Sequence, residues 1–198
     1  MSDDVVRNMV AGYAHVDALV ADGIDVFAIG NSRLLLELNT LVLCGPGPGG
    51  REEYARHRDR TEQHFYGERE GGIRDLVEWH ARHAQDPPLA RAAGLYVRML
   101  SRPQLFIEGN HRTGALVMSY VLVRAGRPPF VLTAANALAY FEPSALIRDT
   151  HKQRLLMRLR APRLTRRLAA LLAAHADRGH VRSEPAPGSD HAPSQRGH

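Results

Sequence analysis

The chain has 198 residues, 44% of them hydrophobic and 24% charged, enough for one sizeable core with a tail to spare. Its net charge is +5 and its only cysteine is Cys44, which excludes an internal disulfide and leaves no cysteine cluster for zinc. No apolar run approaches the roughly 20 residues of a membrane-spanning helix, and the residues after Met1 are polar and acidic, unlike a secretory signal, so a cytoplasmic protein is expected.

Ser2, Asp3 and Asp4 are suited to a helix start, and Val5, Met9, Tyr13, Val16 and Val20 form an apolar stripe before Gly23. This predicts an N-terminal helix, within residues 1–27, packed on the core. A second helix is expected over 28–43, stopped by the glycine-proline run from Gly45 to Gly50, and a polar one over 51–66. Gly71-Gly72 precedes a helix through Ile73, Leu76, Val77 and His80, closed by Asp86-Pro87-Pro88, and residues 89–100 form another. Residues 112–125, RTGALVMSYVLVRA, are apolar on nearly every face and stop at Gly126-Arg127-Pro128-Pro129, which predicts a buried central helix. Residues 130–133 read as a short extended piece, followed by helices over 134–140 and 144–160. Pro162 should break the pattern before a last helix marked by Leu164, Leu168, Leu171 and Leu172 and ending near Gly179. The remaining tail has no periodicity and should be disordered. The fold class is mainly α.

Charge is unevenly spread. From Arg148 onward there are eleven basic and four acidic residues, so the positive excess belongs to the C-terminal quarter, and Lys152 is the only lysine of the chain. A solvated helix face accounts for that excess. A nucleic acid, an anionic membrane or an acidic protein would meet the same chemistry.

The densest chemistry is Phe106-Ile107-Glu108-Gly109-Asn110-His111-Arg112-Thr113-Gly114, where a loop opens the central helix. Free N–H groups at a helix start, with the positive end of the dipole, bind anions, and Asn110 is placed to cap them. Gly109 permits close backbone approach, and Arg112 can pair with phosphate oxygens. Glu108 beside an anion site makes electrostatic sense when a divalent cation lies between them, which points to a metal-chelated diphosphate. A tight turn before an apolar helix is the plainer explanation of the same string.

The string from Gln104 to Ala115 resembles the Fic family (Fic/Doc, or Fido, domains), whose motif runs H-x-F-x-[D/E]-[G/A]-N-[G/K]-R-x-x-R at the start of a central helix. Phe106, Glu108, Gly109, Asn110 and Arg112 match at the required spacing. The resemblance implies a Fic-like helical bundle over residues 28–172 around the central helix, with a short β-hairpin flap from 43–51 or 66–72 for docking a target, and residues 173–198 as helix end and basic tail. It also implies that Phe106 anchors the loop, that Glu108 holds magnesium, and that Gly109, Asn110, His111, Arg112, Thr113 and Gly114 cradle the phosphates of a nucleotide. Two positions depart. Gln104 stands where the family has its catalytic histidine, and an amide takes up no proton at neutral pH. Ala115 replaces the second arginine, which in the family reaches the outermost phosphate.

Two residues are placed to supply the missing base. His111 lies at the helix start, where the dipole disfavours its positive form and a bound phosphate favours it. Glu37 lies among leucines; it is near the family's inhibitory pattern [S/T]-x-x-x-E-[G/N], but Ser32 and Glu37 are five apart and the spacing fails. Exposure on an amphipathic helix is the simpler reading of Glu37. His80 with His83, and Glu53 with His57, share helix faces at metal-ligand spacing, but nothing completes a ligand set. Three functions stay open: a transferase that moves a nucleotidyl or other phosphate-containing group to a hydroxyl (AMPylation-like), an inactive Fic pseudoenzyme that senses a nucleotide or binds a protein, and an adaptor using the basic C-terminal helices.

Overall fold

The structure is a computed structural model that describes residues 2–67, 71–148, 151–152 and 155–176. Among these residues it is mainly helical, with no strand: α1 Asp3–Ala21, α2 Ser32–Cys44, α3 Pro48–Glu53, α4 Ala55–Gly67, α5 Ile73–Arg82, α6 Pro88–Leu100, α7 Asn110–Arg124, α8 Ala134–Arg148 and α9 Leu155–Ala174. No described helix is long and apolar enough to cross a membrane.

The central helix forms as its composition dictates. α7 has no polar face, so it is enclosed, with every residue from Thr113 to Leu122 buried. α6 and α1 pack along it most extensively and α2 joins them, while α9 covers the far side of α6. Gly114 makes the α6–α7 approach possible, because a Cβ there would lie 2.5 Å from the Tyr96 ring. The N-terminal helix α1 buries Met9, Gly12, Val16 and Leu19.

Several boundaries differ from expectation. α2 starts at Ser32, later than 28, because Asp25 and Asn31 close a turn: Phe27 N–H donates to Asp25 Oδ1 at 3.0 Å and Asn31 Nδ2 to the Asp25 carbonyl at 2.7 Å. Residues 43–51, one proposed source of the flap, hold the end of α2, a turn and the first turns of α3. In the other, 66–72, α4 continues to Gly67 and Gly71-Gly72 leads into α5, while residues 68–70 lie outside the described residues. The prolines do not break their helices. α8 runs through Pro143 and α9 through Pro162. Packing of α8 and α9 on α6 outweighs a local cost of about 3 kcal/mol per proline. The interruption falls instead at 151–152, where His151 bridges Arg102 and Lys152 N–H donates to the Arg102 carbonyl at 2.8 Å. The lone lysine is structural: buried Lys152 donates from Nζ to the Gly71 carbonyl at 3.0 Å and lies 3.9 Å from Asp75, which also pairs with Arg98. On α9, Arg160, Arg163 and Arg166 are exposed and Arg167 pairs with Glu142 at 3.4 Å, in keeping with a solvated basic face. The tail expected to be disordered lies, from 177 on, outside the described residues.

Candidate functional site at the start of the central helix

The loop between α6 and α7 is held by its own polar residues. Phe106 is buried and stacks on Phe65, ring centroids 5.4 Å apart, which anchors the loop in the core. Asn110 does not cap the helix. Its Oδ1 accepts from Phe106 N–H at 2.9 Å and its Nδ2 donates to the Phe106 carbonyl at 2.7 Å, so the side chain turns back and closes the loop on itself. The cap position falls to Gly109, at φ +77, and no side chain caps α7. A Cβ on Gly109 would meet Asn39 Nδ2 at 2.8 Å. That amide is already committed, donating to the Glu108 carbonyl at 2.9 Å and to Thr113 Oγ1 at 3.0 Å.

Beyond this closed side lies a cavity of about 640 Å³, lined on one wall by Gly109, Asn110, His111 and Arg112 and on the others by apolar residues such as Val5 and Met9 of α1, Leu132, and Phe141 of α8. Its volume is that of a small-molecule or cofactor pocket. The uncapped turn of α7 therefore opens onto it with positive potential. Arg112 contributes a guanidinium that also donates to the Val42 carbonyl at 2.7 Å, at the negative end of α2. His111 is half-buried. Its Nδ1 is 2.9 Å from the Tyr96 hydroxyl, its backbone carbonyl accepts from Tyr140 at 2.7 Å, and Phe141 stands edge-on 5.3 Å from the ring. Burial, and then the positive charge of Arg148, lower its pKa below the ordinary 6.5.

No protein-family model matches the chain, and no curated protein matches it.

The other predicted site residues do not line the cavity, although Glu108 adjoins Gly109, which does. Gln104 donates from Nε2 to the Leu100 carbonyl at 3.2 Å and accepts at Oε1 from Asn110 at 3.4 Å, so at the base position it serves to close the loop. Thr113 and Gly114 point into the core, and Ala115, where a second arginine would stand, is completely buried. Glu37 faces a smaller polar pocket between α2 and α4 and forms a two-pronged ion pair with Arg51. The Glu108 side chain is exposed and makes no hydrogen bond or ion pair among the described residues, which leaves its carboxylate open to a cation. Magnesium needs only one or two protein carboxylates when phosphates complete its shell, so Glu108 fits that role although no cluster of three or more His, Cys, Asp or Glu exists among the described residues.

His80 stacks on Phe27 at 4.0 Å and His83 on Trp79 at 3.9 Å, with His83 Nδ1 also bonded to the Trp79 carbonyl at 2.8 Å. Glu53 and His57 lie on separate helices, α3 and α4, and the shared face expected of them does not form. Cys44 has its thiol pKa raised by burial, against the pull of Arg58 and Arg51, which keeps it protonated and a poor nucleophile.

Three contributors were missed in the sequence: Asn39, which braces the loop, and the buried pair Tyr96 and Tyr140 behind His111. A signal existed for Asn39, a lone amide within the leucine-rich stretch of α2. The tyrosines read as ordinary core aromatics.

Proposed function

We propose that the chain is a divergent Fic-like protein that binds a magnesium-chelated nucleotide or related diphosphate compound at the start of α7. One observation carries this reading: the uncapped N-terminal turn of α7, with His111 and Arg112, opens onto a 640 Å³ cavity whose remaining walls are largely apolar. Such a site suits a ligand with an anionic end and a flat or apolar end. The phosphates meet the free N–H groups of α7 and Arg112, and the base or other apolar group meets Val5, Met9, Leu132 and Phe141. Glu108 would hold the magnesium, which when bound offsets phosphate charge. Ala115 offers nothing to an outermost phosphate, so the diphosphate portion carries the recognition. Transfer of a phosphate-containing group to a hydroxyl is the activity this site would support. Binding without transfer is the second reading, favoured by the engagement of Gln104 with Leu100 and Asn110.

Thermal denaturation with a panel of nucleotides and magnesium tests the reading. A ligand at a hundred times its Kd stabilises by about 2.7 kcal/mol, a rise of roughly 5–10 °C for a chain of this size. Glu108→Ala should remove the magnesium-dependent part of the rise while leaving the unliganded Tm within a degree or so. An unchanged Tm across the whole panel would reject the phosphate site.

A further inference from the structure

We infer that the polar pocket between α2 and α4 is an anion site separate from the α7 cavity, and that it takes a free small oxyanion such as inorganic phosphate. The two helices meet there through polar stripes. On α2, Arg33, Glu37 and Thr40 follow one another at helical spacing, and on α4 His57 with Thr61 and Arg58 with Glu62 do the same. No residue of this pocket lines the α7 cavity.

Two atoms of the pocket residues are buried without a partner. Among the described residues, the buried side-chain nitrogens and oxygens that make no hydrogen bond are His15 Nε2, His57 Nε2, Thr61 Oγ1 and Arg91 Nε, and two of these belong to the α4 wall of the pocket. Thr61 is only 2% exposed. Buried polar groups are nearly always bonded, so the partner of Thr61 and His57 is a guest of the pocket and not a part of the fold.

The charges decide what kind of guest. Glu37 is already engaged by both prongs of Arg51. Asn39 donates from Nδ2 to the Glu108 carbonyl and to Thr113, and the Thr40 hydroxyl donates to the Leu36 carbonyl at 3.1 Å. Four donors are left over. The Arg33 guanidinium makes no hydrogen bond or ion pair among the described residues, and Arg58 makes one long bond, 3.5 Å to the Arg51 carbonyl. The Thr61 hydroxyl can donate, and so can His57 Nε2 when it carries the ring proton. Glu62 opposes an anion, but it is exposed, where water and salt screen it. A cation would face two guanidiniums. Water alone would satisfy Thr61 and His57 and leave both guanidiniums without a counter-charge. The pocket holds about 90 Å³, against about 30 Å³ for one water in the liquid and about 300 Å³ or more for a drug-sized ligand. That is room for an ion of a few oxygens and not for a nucleotide.

Calorimetric titration of the full chain with inorganic phosphate, at constant ionic strength and with chloride as the control anion, tests the inference. Phosphate should bind and chloride should not. Thr61→Val replaces the hydroxyl by a methyl of the same shape, and Arg33→Gln alters an exposed side chain, so both variants should fold. Each should weaken phosphate binding about tenfold or more. In chloride, Thr61→Val should melt no lower than the unmodified chain, because the hydroxyl it removes has no protein partner to lose; a lower Tm would reveal a structural partner and overturn the site. Failure of phosphate to bind beyond chloride would overturn it too, as would full-strength binding in both variants. In that last case, loss of binding in Arg112→Gln would place the anion at α7 and support that cavity alone. Phenyl phosphate carries the same head on a ring for which the pocket has no room. If it bound as tightly as phosphate and with the same dependence on Arg33, the head of a larger ester would be the guest and the free-ion assignment would fall.

Discussion

The residues at the start of α7 divide into two sides with opposite uses of polarity. On the closed side, Gln104, Asn110, Asn39 and Thr113 spend their hydrogen bonds on the loop itself. On the open side, Gly109, His111 and Arg112 line a cavity, and no side chain caps the α7 N–H groups. Residues with matching motif letters thus do different work. An asparagine that could cap a helix instead closes a loop, and by doing so leaves the helix start open to a ligand.

The largest effect should come from forcing an open-side function onto the closed side. Ala115→Arg restores the family arginine by letter, but position 115 is completely buried. A guanidinium there would be desolvated with no acid partner, at a cost of several kcal/mol, about 4 or more. Denaturant titration should show a protein close to unfolded, with no gain of nucleotide affinity. A stable Ala115→Arg variant with a stronger nucleotide response would mean that 115 can face the cavity and that the two sides are wrongly divided.

Next comes removal of the latch. Asn110→Ala strips both partners from the buried N–H and carbonyl of Phe106. Two unsatisfied backbone groups cost about 1–3 kcal/mol each, partly relieved if water enters, so a loss of about 3 kcal/mol and a Tm lower by roughly 6–12 °C is expected for this chain length. Asn110→Asp keeps one acceptor for Phe106 N–H and should fall between Ala and the unmodified protein. If Asn110→Ala were as stable as the unmodified chain but no longer bound nucleotide, Asn110 would belong to the open side.

Much of the fold could be read from the chain. α7 was legible because its apolar residues leave no polar face, and α1 because its stripe is regular. The helix ends near prolines were not, since local cost at Pro143 and Pro162 is set against packing that only the assembled bundle reveals. In the site, the open glycine and the position of Arg112 and His111 followed from spacing alone. The role of Asn110 did not, because an amide at a helix start can bond forward to the helix or backward to the loop, and the choice is made by Phe106 anchored on Phe65, two residues distant in sequence by more than forty positions. The apolar cavity walls come from α1, the 130–133 segment and α8, brought together only by tertiary packing. Glu37 was legible as an acid among leucines, but its partner Arg51 sits on another helix.

The smallest effect distinguishes the two sides by pH. His111 on the open side has its folded-state pKa lowered, chiefly by burial and then by Arg148; His80, on α5 and stacked on Phe27, does not line the cavity and is lowered too, chiefly by burial and then by Arg91. A histidine whose folded pKa lies below its unfolded value leaves the unfolded state holding more protons between the two. Stability therefore rises with pH through that window, and is lost as pH falls below about 6.5. Each histidine contributes at most about 1.4 kcal/mol per pH unit, so the Tm should decline gradually from pH 7 to pH 5. His111→Gln removes one contribution and should flatten the decline, while His80→Gln flattens the other. The two respond differently to ligand. A bound phosphate compound near His111 places negative charge beside the ring and favours its charged form, so nucleotide should shrink the part of the acid loss that His111→Gln removes and leave the His80 part unchanged. Equal shrinkage of both parts, or of neither, would separate His111 from the anion position and move the open side elsewhere on the molecule.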